Sequence, residues 1–255
     1  MKWFSLEGYG AASFDGSSWR VYTAADGLAL EPVGDRVFAI TVDHNNVKWF
    51  GTWAGVSRFD GKTWTTFTKE VSQVWALAVD SKNVLWVGMY GGGVMTFDGA
   101  TWSNRTPPGI NSLNSIMVGP DDRVWVGTND YLFVYDGSWS HITTGPPTYC
   151  GALLVDRANT LWAASGSGSP TGTTRFRNGV WEARVPLPLP IDAPVYALAE
   201  DANGVIWAAA AGNGNVDKRG QGAASFDGKT WTAYTTQTSG LVDNGVWGVA
   251  VDVTM

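Results

Sequence analysis

Two tryptophans recur at fixed places in this chain, six times over, and that recurrence restricts the fold more than any other feature. The first of each pair is Trp3, Trp49, Trp86, Trp125, Trp162 and Trp207; the second is Trp19, Trp64, Trp102, Trp139, Trp181 and Trp231. These twelve account for most of the 15 tryptophans, so the residue type marks repeat positions. Each copy has an apolar run ending near Asp, a tight turn, a strand carrying Trp, a loop with glycine, then a form of Phe-Asp-Gly-x-x-Trp. A period of roughly 40 residues with four short strands per copy is the pattern of a β-propeller, whose sheets bury their faces only against each other.

The copies can be followed strand by strand. Val37–Asp43 (VFAITVD) leads into Lys48–Phe50 (KWF), Val74–Asp80 (VWALAVD) into Val84–Gly88, and Ser115–Asp121 into Arg123–Gly127. Cys150–Asp156 leads into Thr160–Ala163, and Val195–Asp201 into Val205–Ala208. The last copy opens at Val246–Asp252 (VWGVAVD), and its remainder stands at the other end of the chain. There Lys2–Phe4 (KWF) is followed by Gly10–Gly16 (GAASFDG), a heptapeptide repeated letter for letter at Gly222–Gly228. Joining the ends gives Asp-Val-Thr-Met-Met-Lys-Trp-Phe, equal in length to Asp43-His-Asn-Asn-Val-Lys-Trp-Phe. The expectation is an all-β, six-bladed β-propeller with four antiparallel strands per blade. Its last blade is closed by one C-terminal and three N-terminal strands, which leaves no open sheet edge. The blades run over 37–73, 74–114, 115–149, 150–194, 195–245, and 246–255 together with 1–36, forming a single domain over 1–255. Repeats excised from a longer array would carry the same joint.

Composition fits this and narrows the partners. Aromatic residues at 13% and 32 glycines suit short strands and tight turns, and no helix-length amphipathic segment stands out. The net charge is −6, and affinity for phosphate backbones depends on clustered Lys and Arg, so no nucleic-acid partner is expected. The chain shows no transmembrane run and no signal peptide, so no membrane insertion is expected. A monomer is the expected state. The single Cys150 excludes an internal disulfide framework and lies in an apolar inner-strand run, which predicts a buried, inert thiol.

Two connections per blade are nearly constant. The first-to-second strand turns are rich in Asp and Asn. The third-to-fourth turns are Asp15-Gly16, Asp60-Gly61, Asp98-Gly99, Asp136-Gly137, Asn178-Gly179 and Asp227-Gly228. Tight hairpins need positive φ or a side chain that bonds its own backbone, so these residues read as turn formers rather than calcium ligands. The other two connections vary in length and share the opposite face, and binding residues concentrate on variable loops held by a rigid scaffold. Tyr9, Trp53, Tyr90 and Tyr131 sit at nearly equivalent positions in those loops and would form an aromatic collar suited to sugars, cations or flat ligands; packing over the inner strands is the alternative. Asp35, Asp192 and Asp243 precede inner strands and are placed at the channel mouth, where capping of loop amides is the alternative role. Lys218 and Arg219 lie in the longest loop, beside the blade that contributes Glu7, and suit an anionic ligand or a partner; a solvated loop is the alternative. Trp75 and Trp247 start inner strands where Phe38 and Tyr196 hold the same place, and they read as core between blades.

No catalytic signature accompanies the scaffold. Of the two histidines, His44 lies in a short turn and His141 in an outer strand, and neither has a partner spaced for zinc or for a triad. There is no GxSxG, phosphate-binding loop or CxxC. No catalytic residue, metal or cofactor is nominated, although a repeat fold can bring distant Asp and Glu together.

The repeat Val-x-Ala-Leu-Ala-x-Asp, Val-Leu/Ile-Trp, Phe-Asp-Gly-x-Thr-Trp, Tyr-Thr, Gly-Leu resembles the two-component regulator propeller repeat, best at Val74–Gly99, Val195–Trp207 and Phe226–Leu241. That resemblance implies a ligand-sensing propeller, often for carbohydrates, and a periplasmic or extracellular setting. The pattern is also similar to streptogramin-lyase-type propellers. Those enzymes act through His and Glu near the channel, and this chain has no His on the variable-loop face. The combined expectation is a non-catalytic propeller that binds a small-molecule or glycan ligand, or a protein partner, on that face. Carbohydrate is favoured. The alternatives are a channel-mouth lyase or hydrolase using Asp and Glu, and a protein–protein interaction scaffold.

Overall fold

The computed structural model describes residues 2–6, 10–30, 36–142, 150–165, 172–189, 194–210 and 222–239, with Val246 and Val249. Six antiparallel sheets follow one another, each an up-and-down meander: the fold is a six-bladed β-propeller. Sheet one has Lys2–Leu6, Gly10–Phe14 and Trp19–Tyr22. Sheet two has Val37–Val42, Lys48–Thr52, Val56–Phe59 and Trp64–Phe67. Sheet three has Val74–Val79, Leu85–Met89, Val94–Phe97 and Trp102–Asn104. Sheet four has Ser115–Val118, Val124–Gly127, Leu132–Tyr135 and Trp139–Ile142. Sheet five has Cys150–Val155, Leu161–Ser165, Thr173–Arg177 and Val180–Trp181. Sheet six has Val195–Glu200, Ile206–Ala210, Gly222–Phe226 and Trp231–Tyr234. The strand expected over Val246–Asp252 lies outside the described residues, apart from Val246 and Val249.

The chain divides into two compact units, Met1–Ile116 and Met117–Met255. In each, the core is a series of slabs between successive sheets. In the first unit Tyr22, Leu28, Phe50 and Phe59 fill one slab, and Trp49, Val56, Val74, Leu85, Val87 and Phe97 the next. In the second, Trp125, Leu132, Cys150 and Leu161 form one slab, and Trp162, Val195, Leu198 and Ile206 another. Close approach explains the glycine that follows two of the strand tryptophans. A Cβ on Gly51 would stand 2.6 Å from Val74 Cγ1, and one on Gly88 would stand 2.5 Å from Leu113 Cδ2.

Sheet one carries exposed large apolar residues on one face. Phe4, Trp19 and Val21 are exposed there, with Trp19 stacked on Phe14. The residue equivalent to Phe4 in sheet two, Phe50, is fully buried.

The Asp at the end of the first strand folds the following turn. Asp80 Oδ1 accepts from the amides of Lys82 and Val84, and its Oδ2 accepts from Trp86 Nε1 at 2.9 Å. The same indole bond joins Asp43 to Trp49 (3.0 Å), Asp156 to Trp162 (2.8 Å) and Asp201 to Trp207 (3.2 Å). Hydrogen bonds to charged groups contribute about 1.5–3 kcal/mol each. In sheet four Gly119 takes the Asp place, with the same turn bonds from Gly119 N–H to the Arg123 carbonyl and from Asp122 N–H to the Gly119 carbonyl. The Trp125 indole N–H is accordingly buried without a partner among the described residues. The fourth turn residue is left-handed throughout, at Asn46, Asn83, Asp122, Asn159 and Gly204, which is why Asn, Asp and Gly recur.

Candidate ligand-binding face

At the short-turn end of the sheets, the turn carboxylates are committed to backbone. Asp60 Oδ1 accepts from the amides of Lys62 and Thr63, Asp98 Oδ1 from Ala100 and Thr101, and Asp227 Oδ1 from Lys229 and Thr230. These bonds hold the three carboxyls below the usual range. Neighbouring short turns also hook together. His44 N–H donates to Asn83 Oδ1 at 2.7 Å, Asn159 Nδ2 to Asp121 Oδ2 at 2.8 Å, and the Arg157 guanidinium to the Asp201 and Ala202 carbonyls.

At the loop-bearing end of the first unit, four rings meet. Phe38 stacks on Trp75 with centroids 4.8 Å apart and planes 25° apart. Trp53 lies 6.0 Å from Phe38 and 5.7 Å from Tyr90, and Trp75 lies 5.7 Å from Tyr90. Phe38, Trp53 and Trp75 are half-buried, and Tyr90 is 54% exposed. The arrangement comes from the strands. Trp53 and Tyr90 are each the first residue after a second strand, in adjacent sheets. Phe38 and Trp75 each occupy a register shift at the second residue of a first strand, between Val37 and Ala39 and between Val74 and Ala76. Such bulges re-aim side chains. The same shift occurs at Gly151 and Tyr196 in the second unit. Trp75 and Phe38 therefore do pack between blades, but at the loop end rather than deep in the core.

The rings touch one another, so no slot exists between them for an ammonium group. The cluster offers an outer surface on which a flat or faceted ligand can stack. The Arg36 guanidinium sits 5.8 Å from the Phe38 ring at its margin.

Tyr131 stands elsewhere. It immediately precedes a third strand, the place held by Gly55 in sheet two, and its ring meets His141 edge-on at 4.4 Å. His141 in turn stacks on Phe133 at 4.9 Å. Tyr9, Asp35, Asp192, Asp243, Lys218 and Arg219 lie outside the described residues, as do Glu7 and Trp247. Cys150 is fully buried, and burial pushes its thiol up to about 12. Among the described residues no group of three or more His, Cys, Asp or Glu is placed to hold a metal ion, and no helix is long and apolar enough to cross a membrane.

Clefts open at the short-turn end, between adjacent sheets. One of about 340 Å³ is lined by Asp43, Trp49, Arg58, Phe67 and Phe97, and another of about 430 Å³ by Trp3, Arg20, Tyr22, Lys48 and Phe59. A third, of about 260 Å³, is lined by Trp125, Phe176 and Arg177. They recur with the repeat and belong to the packing of the fold. Sequence reasoning missed both the bulge and the indole bond. The second had a visible signal, an Asp six residues before the strand Trp in four copies.

No family model matches the chain, and no curated protein does. Solved structures do. The extracellular domain of the hybrid two-component system BT4673 from B. thetaiotaomicron superposes with a TM-score of 0.72 at 18% identity, covering 94% of this chain and 32% of that one. The chain shares its fold. It spans about a third of that domain's length, and 41% of PorZ, a surface component of the type-IX secretion system of Porphyromonas gingivalis, matched at a TM-score of 0.70 and 16% identity. A catalytically inactive virginiamycin B lyase from Staphylococcus aureus, solved with quinupristin, matches over 99% of this chain and 94% of its own at a TM-score of 0.74 and 14% identity. At these identities the likeness is one of fold, and an extracellular domain of a two-component system, a secretion component and a lyase all use it.

Proposed function

We propose that this propeller is a non-catalytic binding module that takes a carbohydrate on its loop-bearing face. The observation that carries the reading is the contact cluster of Phe38, Trp53, Trp75 and Tyr90, raised to that face by two bulges and two loop starts. Aromatic faces complement the apolar faces of sugar rings while the hydroxyls remain hydrated. The extracellular sensor domain with the same fold is consistent with a ligand-binding role.

The test is a glycan array probed with the purified protein, with and without calcium, followed by titration of any hit against Tyr90→Ala and Trp53→Ala. Tyr90 is exposed, so its removal should leave the fold intact and weaken binding about tenfold, equivalent to ~1.4 kcal/mol. Trp53→Ala should do at least as much. Binding unchanged in both variants, with folding retained, removes the platform from the site. No glycan binding by the wild type turns the assignment toward a protein ligand on the same face.

A further inference from the structure

Gln73 is, among the described residues, the one with positive φ that is neither glycine, Asn nor Asp; its φ is 50°. A left-handed backbone at a side chain with no local hydrogen-bonding advantage persists when its surroundings hold it there. Here they do. The Gln73 amide donates to the Trp53 carbonyl at 2.8 Å, and the Tyr90 amide donates to the Gln73 carbonyl at 2.9 Å. One residue thus joins the loop of sheet two to the loop of sheet three. Val74, next in the chain, is fully buried and anchors the strand, and Trp75 follows in the bulge. Three of the four platform rings are therefore carried by residues bonded to Gln73 or two positions from it.

We propose that Gln73 is the positioning residue of the aromatic platform: its left-handed backbone ties the Trp53 loop to the Tyr90 loop and sets both rings against Trp75 before any ligand arrives. This rests on the binding role assigned to the platform, and ordering in advance lowers the entropy cost of binding. An Asn at position 73 tolerates the left-handed region and keeps a carboxamide, so it should reproduce the wild type. A Gly there has no steric objection to that conformation but leaves the backbone free to abandon it.

The experiment compares wild type, Gln73→Asn and Gln73→Gly by amide hydrogen exchange without ligand, thermal melting, and titration with the glycan found on the array. In Gln73→Gly the Tyr90 amide should exchange about tenfold faster, while the Val87 amide in the adjacent ladder keeps its rate. Glycan affinity should fall three- to tenfold, a change of about 0.7–1.4 kcal/mol, with no drop in melting temperature. Gln73→Asn should match the wild type in all three. A Gln73→Gly protein with wild-type exchange at Tyr90 and wild-type affinity overturns the proposal, as does a loss of affinity that merely follows a loss of stability. Because the exchange measurement needs no ligand, it stands apart from the carbohydrate reading. Faster Tyr90 exchange in a protein that binds no glycan upholds the positioning role and rejects the glycan.

Discussion

The bond from an Asp carboxylate to a strand tryptophan shows what a single residue decides in this fold. In sheet three, Asp80 satisfies two turn amides and the buried Trp86 indole at once. Asp80→Ala leaves all three donors without their acceptor, and a buried unsatisfied donor costs about 1–3 kcal/mol. We expect a loss of about that size in chemical denaturation. Sheet four offers the reverse experiment, because Gly119 has the same turn bonds and Trp125 lacks an acceptor among the described residues. Gly119→Asp should gain about 1 kcal/mol. The new Cβ would meet Asp121 Oδ1 at 2.9 Å and Val155 Cγ1 at 3.3 Å, both side-chain atoms that must give way for the gain to appear. Equal stability of Gly119→Asp and wild type would mean that water or strain already compensates the indole. The aligned repeats made this site readable in principle: five copies place Asp, Asp, Gly, Asp and Asp six residues before Trp. The alignment alone did not reveal what that carboxylate touches.

Strands and turns were the readable elements, for a physical reason. A turn that needs positive φ admits few residue types, so Asp-Gly and Asn announce it, and Gly16, Gly61, Gly99, Gly137 and Gly228 all have φ near 100°. The bulges at Phe38 and Trp75 were not readable, because a one-residue shift leaves the alternating pattern on either side unchanged. The sequence sets Tyr131 beside Tyr9, Trp53 and Tyr90 at nearly equivalent loop positions. Its actual place, just before the third strand, follows from hydrogen bonding: the Thr128 amide donates to the Tyr131 carbonyl as the Thr52 amide does to that of Gly55. The turn carboxylates also bear on how the fold responds to acid. Backbone amides hold Asp15, Asp98 and Asp227 below their usual range, so the unfolded chain binds more protons than the folded one in that interval. Their stabilisation is complete above the unfolded carboxylate value of about 3.9 and disappears as pH falls through the lower folded values. Melting temperature should be flat from pH 7 to about pH 5 and decline below about pH 4. Asp98→Asn together with Asp227→Asn should make that decline shallower, and an unchanged slope would exclude these turns as its source.

At the scale of the whole molecule, the repeat spacing bears on which strand completes sheet one. The described part of sheet one has three strands, and the buried Trp3 indole N–H has no hydrogen-bond partner among the described residues. Counted through the joined chain ends, Asp252 stands six residues before Trp3, the spacing of Asp43 to Trp49 and of Asp80 to Trp86. We propose that 246–252 completes sheet one in this register, with Asp252 as the acceptor. A double-mutant cycle of Asp252→Ala and Trp3→Phe tests it, because coupling between two residues requires that they interact. The Asp43→Ala and Trp49→Phe cycle, on a bond seen at 3.0 Å, supplies the reference. We expect couplings of about 1 kcal/mol in both cycles. Additive effects at Asp252 and Trp3, beside a coupled reference pair, would show that the C-terminal segment does not take this register. Coupling of equal size would show that the repeat spacing continues unbroken across the two ends of the chain, and that one copy of the repeat is assembled from both.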